Sequence, residues 1–151
     1  MTTIPASALA PEVIHRLGLR PHPEGGWYAE TWRAEARNGE RPSASAILYL
    51  LAAGERSHWH RVDAAEIWQY SAGDVLELRI WAGDGSAVVT HHLGGGLREA
   101  ETPQVVVPAG AWQAARPLGA WTVVGCIVSP AFEFAGFELA PDGWEPPLTR
   151  Q

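Results

Sequence analysis

Lysine is absent from this chain of 151 residues, so all eleven of its basic residues are arginine. Without a side-chain amine, Schiff-base catalysis and covalent attachment of pyridoxal phosphate are excluded. The 17 acidic residues outnumber the arginines and give a formal net charge of -6. Nucleic-acid binding needs a clustered basic surface, whereas these arginines are dispersed along the sequence. We therefore expect no nucleic-acid partner.

The chain has only one cysteine, Cys126. A single cysteine excludes a disulfide within the chain. It lies in the apolar run 122–128, where the environment lacks the exposure and the thiolate-stabilising neighbour that a reactive thiol needs. We expect a buried structural thiol.

Long apolar runs are also missing. No stretch approaches the 20 or so apolar residues that a membrane-spanning helix requires, and residues 1–5 lack the basic and apolar regions of a secretory signal. We therefore expect no membrane association and a cytoplasmic protein. The hydrophobic fraction of 46% excludes disorder, and the chain length predicts a single domain over residues 1–151.

What the sequence does contain is a series of short apolar stretches separated by glycine and proline. A helix is predicted over residues 8–17, with Pro11 in its first turn and Gly18 just past its end. Asp84-Gly85 is typical of a hairpin turn. Strands are predicted at 27–33, 44–51, 67–71, 75–81, 87–93, 104–107, 111–115 and 122–128. So many short strands with close turns predict an antiparallel sandwich or barrel.

The most informative segment runs from residue 54 to residue 73. Residues two apart on a strand point to the same face, so His58 and His60 are predicted to face one cavity together. Glu66 can reach that cavity from the next strand. Two imidazoles and a carboxylate suit a divalent metal ion, or a histidine base oriented by an acid.

A second segment carries a related pattern. The apolar run 105–107 is followed by a Pro108-Ala109-Gly110 turn and then by the polar Gln113. Together the segments resemble the two motifs of the cupin superfamily: the spacing from Glu66 to Gly73 fits, as does Pro108-x-Gly110. Gln113 stands where that pattern has its third histidine ligand, and five residues instead of three or four separate His60 from Glu66.

Further motifs point to one subgroup. They are His22-Pro23-Glu24-Gly25-Gly26, Ser57-x-x-His60-Arg61, Glu66-Ile67-Trp68, the stretch from Val107 to Arg116, and Val124-Gly125-Cys126-x-Val128-x-Pro130-x-Phe132. With them the chain resembles, from about residue 14 to residue 139, a family of small, uncharacterised single-domain cupins. The resemblance implies an all-β antiparallel cupin (jelly-roll) barrel with a short N-terminal helix, forming a homodimer.

Metal-free acid/base catalysis is the preferred function. The barrel resembles that of dTDP-4-dehydrorhamnose 3,5-epimerase, which uses a histidine base, an orienting carboxylate and a tyrosine acid. That resemblance implies an isomerase or epimerase acting on a sugar or similar polar metabolite, with His60 as base, Glu66 as orienting acid and Tyr70 as proton donor. Tyr49 and Tyr28 are alternatives to Tyr70, and Asp63 is an alternative to Glu66. We expect His60→Ala to leave folding nearly intact.

Two other functions stay open. In the first, a divalent ion such as Mn, Fe, Ni or Zn is bound by His58, His60, Glu66 and Gln113. In the second, the barrel holds a small molecule without transforming it. Aromatic rings suit stacking on a flat ligand and arginine suits an anionic group. The candidate ligand-binding residues are Glu24, Trp59, Arg61, Trp68, Trp112 and Gln113.

The motifs also predict a geometry. His60, Glu66 and Gln113 are expected to share one cavity, with His58 joining them if the strand stays regular through Trp59. Strand alternation places Glu66, Trp68 and Tyr70 on one face.

Overall fold

The computed structural model describes residues 8–148. It contains one α-helix, eleven strands and two short 3-10 turns at Leu97–Glu99 and Phe134–Gly136. The helix is α1 (Ala10–Leu17), and the strands are β1 (Arg20–Pro21), β2 (Trp27–Arg33), β3 (Ser45–Ala52), β4 (Ser57–Val62), β5 (Ala65–Gly73), β6 (Leu76–Trp81), β7 (Val89–Leu93), β8 (Gln104–Val107), β9 (Trp112–Pro117), β10 (Trp121–Ser129) and β11 (Phe137–Leu139).

The strands form two antiparallel sheets. One has six strands in the order β1-β2-β3-β10-β5-β8, and the other has five in the order β11-β4-β9-β6-β7. The main core lies between them, with Tyr49 and Trp68 from the first sheet and Leu78 and Ala115 from the second. The predicted all-β cupin architecture with one short helix is confirmed.

Strand β10 shows how the sequence produces this arrangement. It lies between β3 and β5, and on each of its two sides it forms a ladder of antiparallel pairs. Val124, Cys126 and Val128 alternate along it and are all buried. Burial raises the pKa of the Cys126 thiol well above its ordinary value, so this cysteine is the inert structural thiol that the sequence predicts.

Helix α1 covers the opposite face of the six-stranded sheet. Pro11 lies in its first turn and Gly18 ends it with a φ of 65°, a left-handed conformation that glycine adopts without a steric penalty. Val13 is fully buried and packs in a cluster with Leu50 and Trp121. No helix within residues 8–148 combines the length and apolarity that crossing a membrane requires.

All eight predicted strands form, with ends that differ by one or two residues. Strands β6 and β7 pair as a hairpin around the loop that contains Asp84-Gly85. The predicted ranges lack three strands. One is β4, which carries His58 and His60. The other two are β1 and β11, which have only two and three residues. Strands this short carry too few residues to show an alternating pattern.

Candidate functional site

A cavity of about 100 Å³ opens between the two sheets. Its polar side chains Glu24, His60 and Glu66 are buried, whereas Phe134 at its rim is 57% exposed. The cavity is therefore a pocket with a buried polar end and a mouth open to solvent. Residues from β2, β3, β4, β5 and β10, from the loop before β2 and from the segment after β10 line it.

An ion pair occupies the buried end. His60 Nε2–H donates to Glu24 Oε2 over 3.0 Å, and Nδ1–H donates to the backbone carbonyl of His58 over 2.8 Å. Burial favours the neutral imidazole, but the charge of Glu24 and its hydrogen bond outweigh burial and raise the pKa of His60 to about 9. Burial likewise opposes ionisation of Glu24, yet the His60 charge keeps the pKa of that carboxyl below its ordinary value. Both groups are charged at neutral pH.

Two glycines bring Glu24 to this position. Gly25 has a φ of 107°, and a Cβ there would collide with the backbone carbonyl of Arg56. The loop therefore lies directly against the start of β4, where the backbone N–H of His58 donates to the Glu24 carbonyl over 2.9 Å. The Tyr49 hydroxyl donates to the Gly25 carbonyl. Only a residue without a side chain allows this close approach.

His22 belongs to the same site. Its Nδ1 accepts a hydrogen bond from the backbone N–H of Glu24 over 3.1 Å, which leaves the ring proton on Nε2 in the neutral tautomer. Burial lowers the pKa of His22, and its ring contacts Tyr28 edge-on at 4.6 Å. The sequence pattern pointed to Glu24 in this loop but gave no role to His22. The signal was its place in the same His22-Pro23-Glu24-Gly25-Gly26 motif.

Glu66 is the third ionisable side chain of the pocket. Burial raises its pKa to about 7, since the opposing charge of His60 only partly compensates and Glu24 adds repulsion. Within residues 8–148 no side chain forms an ion pair with it, and the Trp68 indole N–H, which weakly lowers its pKa, donates its hydrogen bond to Gln113. Its carboxyl therefore faces the cavity ready to gain or lose a proton near neutral pH.

Gln113 lies beside the cavity without lining it. It is paired with His60 across the β4–β9 ladder, and its Oε1 accepts the Trp68 Nε1–H bond over 2.7 Å. Its Nε2 has no hydrogen-bond partner among the described residues. The prediction that His60 and Glu66 share a cavity is confirmed by their common lining of it. The same prediction for Gln113 is wrong, because Trp68 holds its amide in the core.

His58 does not join His60. Ser57 pairs with Ala115 and His60 with Gln113, so β4 has one more residue than β9 between these pairs. Such a bulge breaks the alternation of faces, and it places Ser57 and His60, three residues apart, within 3.5 Å of each other. His58 instead donates from Nε2 to the carbonyl of Pro141 over 2.9 Å. The condition for His58 to join the cavity, a strand that stays regular through Trp59, is not met.

The four predicted metal ligands do not fit a metal centre. His58 points away, Gln113 Oε1 already accepts a hydrogen bond, and both nitrogens of His60 carry donated protons. The described residues also hold no group of three or more His, Cys, Asp or Glu side chains placed to bind a metal ion. His60 instead forms an ion pair with Glu24.

Tyr70 is too far along its strand to act with Glu66. Four residues separate them on β5, which corresponds to about 13 Å at 3.3 Å per residue, and the Tyr70 hydroxyl donates to the Gly73 carbonyl over 2.7 Å. Tyr28, one of the two alternatives, lines the cavity. Among the described residues its hydroxyl has no hydrogen-bond partner, so Tyr28 is the available phenol.

The predicted aromatic wall also lies elsewhere. Trp59 and Trp112 pack on the outer face of the five-stranded sheet against Trp144 of the irregular C-terminal segment. Trp68 is fully buried in the core. Arg61 lies over Trp112 and pairs with Glu138 on the surface, so it does not face the cavity.

The aromatic wall is made by phenylalanine. Phe132, Phe134 and Phe137 all line the cavity, and they are the only three phenylalanines of the chain. Their clustering within six residues was a usable signal, since it concentrates apolar surface in a segment between strands. Arg33 lies at the rim and donates to Glu30 and to the Phe132 carbonyl.

Comparison with known proteins agrees with this architecture. Residues 11–140 match the family described as Cupin superfamily (DUF985). Two solved structures are similar over most of their length. A hypothetical protein from Leishmania major is 30% identical with a TM-score of 0.80, covering 87% of this chain and 86% of that one. A protein from Shewanella oneidensis is 36% identical with a TM-score of 0.82, covering 88% and 85%.

More distant structures share the fold alone. Oxalate decarboxylase from Bacillus subtilis is 12% identical with a TM-score of 0.61, covering 79% of this chain and 29% of its own. The capsular polysaccharide assembling protein CapF from Staphylococcus aureus is 13% identical with a TM-score of 0.63, covering 80% and 33%. None of the curated proteins matches the chain, and the likeness to dTDP-4-dehydrorhamnose 3,5-epimerase stays a prediction. Because the family matches residues 11–140 and two solved structures are similar over 86% and 85% of their own chains, this chain belongs to the DUF985 family of the cupin superfamily.

Proposed function

We propose that the cavity binds a small carbonyl compound and transfers a proton at the carbon next to the carbonyl, a reaction of the isomerase or epimerase type. The observation that carries the proposal is the Glu66 carboxyl. It is buried, lines the cavity, and has a pKa of about 7. A group whose pKa lies near the working pH is the best one for taking a proton and returning it.

The roles differ from those that the sequence suggested. His60 is a poor base, because both of its ring nitrogens carry protons that are donated to Glu24 and to the His58 carbonyl. Its positive charge instead favours negative charge that develops nearby, at the buried end of the cavity. The Glu66 carboxylate is the base in this proposal.

The proposed step conserves protons and electrons. Glu66 removes the proton from the carbon and becomes a carboxylic acid, while the C–H electron pair forms a C=C bond and the carbonyl π electrons move onto oxygen. The His60 charge and the Tyr28 hydroxyl stabilise that enolate oxygen. Glu66 then returns the proton to the same carbon as the oxygen electrons re-form the carbonyl, and return to the opposite face of that carbon inverts its configuration.

The sugar-like substrate expected from the epimerase resemblance remains a prediction, as do the homodimer and the cytoplasmic location. A cavity that binds without catalysis is the alternative function. Sedimentation velocity at micromolar protein measures the oligomeric state independently of the chemistry.

Solvent-proton exchange tests the proposal. Enolisable ketones are incubated with the protein in deuterated buffer, and loss of the α-proton is followed by NMR. We expect exchange to follow an apparent pKa near 7, and Glu66→Gln to slow it by roughly 100-fold, the usual contribution of a positioned acid/base group. Glu35→Gln, at an exposed position, is the matched control. Exchange that survives Glu66→Gln, or a ligand that binds without exchange, overturns the proposal.

A further inference from the structure

Most of the surface that the cavity exposes is apolar, although polar side chains line part of it. Glu24, His60 and Glu66 occupy the buried end. The other polar lining residues are His22, Tyr28, Glu30, Arg33 and Ser45. The three phenylalanine rings lie 5.0 to 6.1 Å from one another, mostly edge to face. The apolar wall consists of Ile47, Val62, Val128, Phe132, Phe134 and Phe137.

Such a wall disfavours a sugar. A sugar carries hydroxyl groups around its whole ring, and each hydroxyl buried without a hydrogen-bond partner weakens binding by roughly tenfold. An aromatic or branched aliphatic group makes no such demand, and aromatic side chains favour edge-to-face contact with another ring. The wall therefore selects for a ligand that is apolar on the side away from His60.

Phe134 adds an independent observation. Its side chain is 57% exposed, and it lies at the mouth of a concave site, where a ligand would cover it. Contiguous exposed apolar surface on a soluble protein often marks a binding site.

Charge in the cavity indicates a neutral ligand. The Glu24 and His60 charges are paired at 3.0 Å. Arg33, the one arginine that lines the cavity, is occupied by Glu30 and by the Phe132 carbonyl. No arginine in the lining is left to hold a carboxylate or a phosphate, and an additional negative charge near Glu66 would be repelled.

We propose that the ligand is an uncharged ketone or aldehyde with an aromatic or bulky apolar substituent. Its ring packs among Phe132, Phe134 and Phe137, and its carbonyl oxygen points to His60 and Tyr28. The carbonyl group of this ligand is inferred from the proposed proton transfer. Its apolar substituent is inferred from the apolar wall of the cavity alone.

Two probes with the same reacting group test the assignment. Phenylacetone and dihydroxyacetone are both neutral, enolisable ketones, but one carries an aromatic ring and the other hydroxyl groups. Binding is measured by NMR titration of the protein. We expect phenylacetone to bind at least about tenfold more tightly, because its ring removes apolar surface from water.

Variants locate the contact. Phe134→Ala should weaken phenylacetone binding roughly five- to tenfold and leave dihydroxyacetone unaffected, and because Phe134 is exposed the variant should still fold. Val106→Ala is the matched control, an exposed apolar side chain on β8 that does not line the cavity. Thermal melts of both variants verify folding.

The outcomes separate this assignment from the proposed function. If dihydroxyacetone binds as tightly as phenylacetone, or if neither binds, the apolar class is overturned. Equal loss of phenylacetone binding in Phe134→Ala and Val106→Ala also overturns it. If phenylacetone binds selectively yet exchanges no proton, the ligand class stands and the proposed proton transfer fails.

Discussion

Glu24 and His60 form a charged pair that is almost completely buried, with side chains 7% and 2% exposed. A buried pair depends on both partners, because removing one leaves an unpaired charge in a medium of low polarity. The pair therefore contributes to the stability of the fold as well as to the electrostatics of the cavity.

We expect His60→Ala to lower the free energy of unfolding by roughly 3 kcal/mol at pH 7, within the range for breaking a buried ion pair. This reverses the expectation from sequence alone, in which His60 faced an open pocket. The double variant Glu24→Gln/His60→Ala should recover part of the loss, because it removes the stranded carboxylate. Urea denaturation measures all three proteins.

The exposed His15 on α1 provides the control, and His15→Ala should change stability little. A double variant that is less stable than His60→Ala by the full cost of Glu24→Gln would show that the two residues act independently, and the pairing argument would then fail.

For individual residues, the sequence indicated which side chains line the cavity but not which of them form an ion pair. It identified His60, Glu66 and Glu24 as candidates, and all three line the cavity. It paired His60 with Glu66, whereas the contact at 3.0 Å is with Glu24, 36 positions earlier. Local spacing cannot reveal a partner that a distant loop supplies.

Among the elements, the bulge in β4 had the largest consequence for the sequence predictions. It turned His58 away from the cavity and brought Ser57 to His60. A bulge is a property of two strands in register, and a single strand read in isolation does not show it. The tryptophan assignments failed for a related reason: the C-terminal segment covers Trp59 and Trp112 on the outer face, although nothing local distinguishes an outer covered face from an inner one.

Glycine substitutions test the loop that carries Glu24. Gly25 and Gly110 both have positive φ, at 107° and 80°, but a Cβ on Gly110 meets open space while one on Gly25 collides with the Arg56 carbonyl. We expect Gly110→Ala to lower the free energy of unfolding by roughly 1 kcal/mol, because only the backbone conformation is strained. Gly25→Ala should lower the free energy of unfolding by clearly more, because its Cβ also collides with the Arg56 carbonyl.

Gly25→Ala should also move Glu24 away from His60, and NMR titration of the His60 ring should then show a lower pKa than in the unsubstituted protein. Equal destabilisation by the two alanines, with an unchanged His60 titration, would contradict the proposed role of the close approach.

The C-terminal segment 141–148 has no regular secondary structure, but hydrogen bonds from His58 and Trp59 and the packing of Trp144 attach it to the outer face. Trp144 lies 4.7 Å from Trp112 and 6.0 Å from Trp81 between ring centroids. We expect Trp144→Ala to lower the free energy of unfolding by about 2 kcal/mol. Replacing a fully buried tryptophan by alanine typically lowers it by about 3–5 kcal/mol.

Urea denaturation and near-UV circular dichroism measure this effect, since the signal of the tryptophan cluster should weaken. Leu148→Ala is the control, because that side chain is 95% exposed. If Trp144→Ala changes the free energy of unfolding as little as Leu148→Ala does, the segment is only loosely attached to the outer face.

For the whole molecule, composition and turn spacing were enough to predict the class. Short apolar runs such as 104–107 and 122–128 became strands at the predicted positions because each is bounded by residues that end a strand. What composition could not determine is which strands are neighbours. Strand β10 lies between β3 and β5, and this long-range pairing builds the cavity from distant parts of the chain.

The three buried ionisable groups predict how stability depends on pH. Glu66 has a folded pKa of about 7 against an ordinary value of 4.5, and His60 has about 9 against 6.5. A raised pKa means that the folded state binds the proton more tightly, so each contribution is complete below the ordinary value and is lost as pH rises through the folded one. Glu24, with a lowered pKa, acts in the opposite direction and loses its contribution in acid.

Stability should therefore be greatest at mildly acidic pH, near 5, and should fall steadily towards pH 9. By linkage, Glu66 and His60 can each contribute on the order of 3 kcal/mol to that fall, and the growing negative charge of a chain that is already at -6 adds repulsion in the same direction. Urea denaturation at intervals from pH 4 to pH 9 measures the profile. Glu66→Gln should flatten it between pH 5 and 7 and leave the fall above pH 7, which belongs to His60. A profile that rises from pH 6 to pH 9 would mean that these groups are not buried as described, and with them the Glu66 proton transfer would lose its physical basis.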